Sequence, residues 1–322
     1  MEQQGEIRGC NYLPRTAVNS TEMWHAETFD PVTIEEELVW AKQAGMNSVR
    51  VFLQYVVWHV DAAGYKERID TFLDIANRNG ISTMLILFDD CAFSGKQPYM
   101  GKQPEPVPGV HNSGWTPSPG FELALNPSRA GELGDYVKDI IGSFAQDERV
   151  SVWDLYNEPG NSKMGDRTMW LVESAFRWAR EIDPIQPLTT GAWAFNDLGF
   201  DYILNPRICD LSDVISFHFY KEANDEWLHR FLETYEGKRP MLCTEWLLRQ
   251  KENTFETILP IFERFNVGWY MWGLVAGRTQ TYMHWRSVQG TPIPDVWQHD
   301  LLHSDGTAYD PKELELLNSR KE

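Results

Sequence analysis

The chain has 322 residues, of which 42% are hydrophobic and 24% are charged, a composition typical of a folded globular protein rather than a disordered or fibrous one. Its 47 acidic and 29 basic residues give a formal net charge of −18, and such a surface repels the phosphates of nucleic acids and of anionic membranes. The sequence contains no apolar run near the roughly 18 residues that a membrane span needs. We therefore expect neither nucleic acid nor membrane as a partner.

The cysteines and the amino-terminal residues bear on the compartment. The four cysteines are widely spaced and form no zinc-binding pattern, so we expect free thiols. The first residues lack the basic start and apolar core of a signal peptide. We expect a cytoplasmic protein, or a secreted or periplasmic one if a signal peptide has been removed. Oligomeric state has no sequence signal.

Short β-branched or aromatic runs alternate with amphipathic stretches along the chain. The predicted strands cover residues 6–10, 47–53, 83–88, 150–156, 187–193, 214–220, 241–246 and 267–274. The predicted helices cover residues 32–44, 66–79, 127–144, 167–182, 225–235, 254–265 and 311–319, with a less regular helical turn within 196–211.

This alternation gives about eight strand–helix units and predicts an α/β fold with a parallel sheet. Since no strong break interrupts the units, we expect one domain, residues 1–322, folded as a closed (β/α)8 TIM barrel. The alternative is a doubly wound open sheet, but no glycine-rich nucleotide-binding motif follows the first strand.

Two long insertions follow predicted strands three and eight, at residues 89–125 and 275–309. Both should lie at the carboxyl-terminal mouth of a barrel, where substrate sites form. The first insertion could wall off one side of the cleft and favour exo action, but the sequence leaves both exo and endo action open. The 14 tryptophans of the chain suit flat ligand faces such as sugar rings.

Two strands end in a carboxylate. The fourth runs into Asn157-Glu158-Pro159, and the seventh ends at Glu245. By strand order the two glutamates face each other across the mouth, which is the arrangement that glycoside hydrolysis needs. One glutamate, held protonated, would donate to the leaving oxygen, and the other, ionised, would attack the anomeric carbon.

Several other side chains are predicted to support this pair. Arg50 is a charge within an apolar strand, so it needs a buried anion, which Glu245 or Asp89 could supply. His218 and Tyr220 alternate with phenylalanines and point the same way, and Tyr220 could bond the nucleophile. The remaining predicted substrate contacts are Asn157, Trp272, Asp89, Trp115 and Trp193, with Trp285 as a further aromatic candidate.

In their order along the chain, these residues resemble clan A of the glycoside hydrolases, and within it glycoside hydrolase family 5, the cellulase and mannanase family. The resemblance spans roughly residues 5–274 and implies a retaining β-glycosidase without cofactor or metal. We therefore predict Glu158 as the acid/base and Glu245 as the nucleophile. The resemblance also implies that Arg50 supports the nucleophile, that Asn157 bonds the sugar 2-hydroxyl, that His218 and Tyr220 form the strand-six pair, and that Trp272 lies under the reactive sugar.

The chain departs from the family pattern where Asp89-Asp90 replaces a usual histidine near the end of strand three, and where Trp246-Leu247 follows Glu245. These departures leave the glycan open among glucan, mannan, xylan and others. Two other functions remain: a metal-dependent sugar isomerase or epimerase, with Glu158, His218, Glu245 and Asp89 around a cation, and a catalytically silent carbohydrate-binding barrel.

Overall fold

The computed structural model describes residues 6–193 and 204–320. Its eight parallel strands form one sheet in the order β5-β4-β3-β2-β1-β8-β7-β6. The strands are β1 (Arg8–Tyr12), β2 (Ser48–Phe52), β3 (Ser82–Asp89), β4 (Val150–Asn157), β5 (Leu188–Thr189), β6 (Ile215–His218), β7 (Met241–Glu245) and β8 (Val267–Trp272).

The barrel closes between β5 and β6. Ala192, just beyond β5, forms a parallel bridge to Phe217. The backbone N–H of His218 donates to the Ala192 carbonyl at 2.9 Å. The predicted fold, a (β/α)8 TIM barrel, is confirmed. The predicted fifth strand was too long, since β5 covers Leu188–Thr189 and is followed by the isolated bridge at Ala192. A Cβ at Gly191 would lie 2.9 Å from His218 Nε2, so the close approach of this ring requires glycine there.

Helices alternate with the strands on the outside of the barrel. They are α1 (Ser20–Trp24), α2 (Pro31–Gln43), α3 (Tyr55–Arg78), α4 (Phe121–Ala124), α5 (Ala130–Phe144), α6 (Met169–Ile182), α7 (Leu204–Leu211), α8 (Glu226–Tyr235), α9 (Phe255–Arg264) and α10 (Pro311–Ser319). Among the described helices, none combines the length and apolar character required to cross a membrane.

Helix α3 begins 11 residues before its predicted start at residue 66. The Gln54 side chain accepts from the Val56 N–H and caps this earlier start. A non-helical residue, Asp61 (φ −145°), interrupts the helix, which is why the sequence pattern indicated only its second part. The short helices α1 and α4 were not predicted. Of the helical turn expected within 196–211, residues 196–203 lie outside the described residues, and α7 occupies the remainder.

Local sequence explains where several helices begin and end. The side chains of Asp30, Asp225 and Asp310 each accept a hydrogen bond from a first-turn backbone N–H, at the starts of α2, α8 and α10, which satisfies donors that a helix leaves unpaired. Gly45 and Gly80 follow α2 and α3 in the left-handed region, with φ of 89° and 69°. These turns aim the chain into β2 and β3.

Alternating strand residues divide the core into two layers. Val49, Val51 and Leu85 belong to the layer between sheet and helices, whereas Met84 and Tyr270 belong to a cluster inside the barrel. Because successive strand residues point to opposite faces, Arg50 must point into the barrel. Its charge is thereby placed beneath the mouth.

Helix α10 is anchored by a buried ion pair. Arg249 donates from Nε and Nη2 to the two carboxylate oxygens of Glu313 at 2.7 and 2.6 Å. The same guanidinium donates to the carbonyls of His299 and Asp300 at 2.5 and 3.1 Å. Helix α10 therefore fixes the loop that follows β8.

We expect Glu313→Gln to lower the free energy of unfolding by about 3 kcal/mol, because it leaves a buried guanidinium without its anion. Urea unfolding of the purified protein measures this loss. Glu315→Gln, on the exposed face of the same helix, is the matched control and should change stability by less than about 0.5 kcal/mol. Equal stability of the two variants would show that the pair does not anchor the helix.

Candidate active site

A cavity of about 440 Å³ opens at the carboxyl ends of the strands. Eight of the predicted site residues line it, namely Trp115, Asn157, Glu158, Trp193, His218, Tyr220, Glu245 and Trp272. Trp285 also lines it. Arg50 and Asp89 lie below its surface, so any effect they have on a ligand passes through other residues.

The Arg50 guanidinium is fully buried and bonded on all sides. It donates to Glu245 Oε1 at 2.9 Å and to Asp154 Oδ2 at 2.7 and 3.0 Å. It also donates to the side-chain oxygens of Asn11 and Asn157, both at 2.6 Å. Two carboxylates therefore neutralise this cation. Glu245 was one predicted anion; the other is Asp154, and Asp89 is not an Arg50 partner.

Asp89 instead orients two residues that line the cavity. Its carboxylate accepts from Trp115 Nε1 at 2.8 Å and from Asn157 Nδ2 at 2.9 Å. Burial raises the pKa of Asp89 to about 6. The Asn157 amide is thus held between Arg50 and Asp89, which fixes which end is the acceptor and which is the donor.

The two glutamates face each other, as their strands predicted. Glu158 follows β4 with a left-handed φ of 43°, and Glu245 ends β7. One oxygen of each carboxylate and a ring nitrogen of His218 lie within 4.8 Å of one another. His218 Nδ1 lies 2.8 Å from Glu158 Oε1 and 3.4 Å from Glu245 Oε2.

Burial raises the pKa of both glutamates, and the charge of Glu158 raises that of Glu245 further. Two such close carboxyls lose their protons in two coupled steps, so the pair holds one proton over an interval of pH. Glu245 contacts the Arg50 cation and accepts from Tyr220 OH at 3.0 Å. Its contacts favour the charge on Glu245 and the proton on Glu158.

His218 lies between the glutamates as a neutral ring. Burial lowers its pKa to about 4, so near neutral pH it has one N–H. Hydrogen bonding to Glu158 assigns that hydrogen to Nδ1, while Nε2 is buried without a hydrogen-bond partner. The ring therefore orients Glu158 without adding a charge to the site.

The turn that carries Glu158 is held by Asp90, a residue for which the sequence predicted no role. Its carboxylate accepts from the Tyr156 hydroxyl, the Gly160 backbone N–H and the Thr168 hydroxyl, each at 2.8 Å. The three donors stand before and after Glu158 in the chain. Asp90 therefore fixes the left-handed conformation of Glu158, which the backbone would not otherwise favour.

Sequence reasoning also missed residues that line the cavity from loops. Cys91 donates from its thiol to Glu158 Oε2 at 3.2 Å, and Asn161 donates to the same oxygen. Phe93, His111, Asn112 and His299 line the remaining wall. Asp154 could have been found, as a lone charge within an apolar strand, like Arg50. The loop residues have no periodic pattern that would place them.

Glu158, His218 and Glu245 are also close enough to act as ligands of a metal ion. The donor set fits poorly, because the Arg50 guanidinium lies 2.9 Å from Glu245 and a second cation beside it is unfavourable.

Residues 14–277 match the family model described as cellulase, glycosyl hydrolase family 5. No curated protein sequence matches the chain. Among solved structures, the endo-1,4-β-D-mannanase of Thermotoga petrophila RKU-1 is similar, with 13% identity, a TM-score of 0.62 and coverage of 98% of this chain and 99% of that one.

Two further solved structures are similar in fold. An exo-β-1,4-mannosidase from Opitutaceae bacterium strain TAV5 has 15% identity and a TM-score of 0.65, covering 97% of this chain and 59% of that one. A GH5_18 protein from Streptomyces cattleya, in complex with Manβ1-4GlcNAc, has 13% identity and a TM-score of 0.59, covering 97% and 79%.

We expect Asp90→Ala to lower the free energy of unfolding by about 2–4 kcal/mol, because it leaves buried donors unsatisfied. Thermal and urea unfolding measure this loss. Asp166→Ala, an exposed aspartate in the loop after Glu158, is the matched control and should be neutral. If Asp90→Ala is as stable as this control, the turn does not depend on the carboxylate.

Proposed function

The chain belongs to the cellulase family, glycosyl hydrolase family 5, and is a retaining β-glycoside hydrolase; we propose that Glu158 is its acid/base and Glu245 its nucleophile. One observation carries the retaining mechanism: an oxygen of each carboxylate lies within 4.8 Å of the other. Retaining enzymes keep their carboxyls about 5–5.5 Å apart, whereas inverting enzymes need roughly 6.5–9.5 Å to admit a water. The assignment of roles is supported by the Arg50 and Tyr220 donors, which contact Glu245.

The first step forms a covalent glycosyl-enzyme. Ionised Glu245 attacks the anomeric carbon while protonated Glu158 gives its proton to the departing glycosidic oxygen. In the second step Glu158 takes a proton from water, and that water displaces Glu245 from the sugar. The protons balance, because the one that Glu158 donates first is recovered from the attacking water.

The neighbours of each glutamate support its role. Arg50 and Tyr220 donate to Glu245 and favour its ionised form, while burial favours the protonated form of Glu158. Asn157 is oriented between Arg50 and Asp89 to bond the sugar 2-hydroxyl. Trp272 lines the cavity and offers an aromatic face to the reactive sugar.

The proposed substrates are β-linked oligo- or polysaccharides, and β-1,4-mannosides are the first to test because two similar folds are mannan-degrading enzymes. Gluco- and xylo-oligosaccharides are the next. We also propose one catalytic domain, residues 1–322. Four buried free thiols support a cytoplasmic location.

We expect Glu245→Ala to abolish turnover of activated aryl β-glycosides, and azide to restore part of it. Azide enters from the side that the carboxylate occupied, expels the aryl group and gives a glycosyl azide of inverted configuration. In Glu158→Ala the covalent intermediate still forms, so azide should give the retained configuration. Proton NMR of the two azides distinguishes the roles.

Exchanged configurations would reverse the assignment of acid/base and nucleophile. Wild-type activity in Glu245→Ala would exclude it as the nucleophile. If sugars bind but neither wild type nor variants turn over any aryl glycoside, the chain is a silent carbohydrate-binding barrel.

We expect Tyr220→Phe to shift the acidic limb of the pH profile of kcat/KM to higher pH. The lost hydroxyl donates to Glu245 Oε2 at 3.0 Å, and loss of a donor to the ionised form raises the pKa of a carboxyl. The nucleophile must be ionised, so activity should begin at a higher pH and fall roughly ten-fold at its maximum.

Tyr282→Phe is the matched control for this variant, because Tyr282 packs against Trp297 with ring centres 5.1 Å apart and is absent from the cavity lining. Its profile should overlay the wild type. An unshifted acidic limb in Tyr220→Phe would show that this hydroxyl does not tune the nucleophile.

A further inference from the structure

The two long loops join above one side of the barrel mouth. The Asn112 N–H donates to the Thr279 carbonyl at 2.7 Å. The Gln280 side chain bonds Gly109 N–H and the Val107 carbonyl at 2.9 and 2.8 Å. Because β2 and β1 lie between β3 and β8 in the sheet, these bonds bridge the mouth over those two strands. We call this structure, residues 107–112 with 279–291, the loop wall.

Aromatic side chains continue the loop wall toward the catalytic pair. His111 lies 5.4 Å from Phe93 and 5.7 Å from His299, between ring centres. The His299 ring lies 5.8 Å from Trp285 and 5.6 Å from Tyr220. Together these rings line the cavity from the loop after β3 round to the loop after β6.

The position of the acid/base separates the two sides of the cleft. The leaving group must lie beside Glu158. Two residues border the cavity there: Asn161, which donates to Glu158, and Trp193, which donates to the Pro159 carbonyl. The sugar that becomes attached to Glu245 lies on the other side, toward Trp272. Trp272 lies 6.5 Å from His299 and 6.2 Å from Trp115, between ring centres. His299 in turn contacts His111 and Trp285 of the loop wall, which places the loop wall on the glycone side.

Asn112, in the loop wall, has an unused amide. Asn112 is one of the residues that line the cavity, and it is 1% exposed. Neither Oδ1 nor Nδ2 has a hydrogen-bond partner, which is rare for a buried polar group. Its backbone is fixed by bonds to Thr279 and Trp115, in the left-handed region with φ of 49°.

We propose that the loop wall closes the glycone side, so that the enzyme removes single sugars from non-reducing ends, and that Asn112 binds hydroxyls of that terminal sugar. An amide offers a donor and an acceptor side by side, which matches two neighbouring hydroxyls. The inference rests on the proposed function and adds its direction of attack.

The sugar bound there is uncharged. Among the residues that line the cavity, the basic side chain besides the neutral histidines is Lys221, and its ammonium lies 3.2 Å from Asp225. The Arg50 cation already forms ion pairs with Glu245 and Asp154. Among the described residues that line the cavity, a terminal uronic acid would have no free cation for its carboxylate, so a neutral pyranose is the expected occupant.

The direction of attack is tested with a β-1,4-linked hexasaccharide whose reducing end has been reduced to an alditol. The gluco, manno or xylo hexamer is chosen to match the aryl β-glycoside that the wild type hydrolyses fastest. Exo attack should give the free monosaccharide and the pentasaccharide alditol as the first products. Chains of two to four sugars at the earliest times would overturn the proposal.

Asn112→Gly tests the binding role, since glycine tolerates the left-handed backbone. We expect KM for the matching aryl glycoside to rise roughly ten-fold with kcat little changed. Asn112→Asp keeps the side-chain shape and one hydrogen-bond acceptor, so its KM should rise less. This variant is used for the test if Asn112→Gly does not fold. Unchanged KM in a folded variant would exclude Asn112.

Thr116→Val is the matched control. Thr116 Oγ1 is also buried without a partner on the same loop, but Thr116 is absent from the cavity lining, so its KM should equal the wild type. A matching rise in this control would show that the effect comes from loop structure. Absence of any aryl glycoside hydrolysis would instead contradict the proposed function itself.

Discussion

The site depends on one buried cation. Arg50 joins β2 to three other strands, through Asn11 on β1, Asp154 and Asn157 on β4, and Glu245 on β7. A guanidinium can do this because it is planar, permanently charged and carries five donors. Its two carboxylate partners leave the cluster with a net negative charge when both are ionised, and that charge is available at Glu245. Without this cation, two buried carboxylates and two amides would lose their common partner.

The buried Arg50 cation also explains why the two glutamates have different roles. Both are buried and close, so they do not readily ionise together. Glu245 has the cation, whereas Glu158 is surrounded by neutral donors, namely His218, Cys91 and Asn161. A neutral His218 is part of this arrangement, because a second cation between the carboxylates would favour ionising both. The geometry thus keeps one proton where the leaving group needs it and one charge where the anomeric carbon is attacked.

Much of the fold and the centre of the site could be predicted from the sequence. Alternating strands and helices indicated the barrel. Charged residues within or at the ends of apolar strands indicated Arg50, Glu158 and Glu245, because a buried charge needs a partner or a chemical role. Asp154 carried the same signal and was overlooked. The loop residues Cys91 and Asn112 could not be placed, since irregular loops have no period and their positions depend on contacts between insertions far apart in the chain. β5, Leu188–Thr189, is shorter than the predicted fifth strand.

The central claim is a double displacement by two close carboxylates, and the configuration of the first product tests it most directly. Proton NMR during hydrolysis of an aryl β-glycoside records the anomeric signal before mutarotation. With double displacement, the β-anomer should appear first, and the α-anomer should follow only at the rate of spontaneous mutarotation. Initial formation of the α-anomer would show direct attack by water and would contradict the roles derived for Glu158 and Glu245.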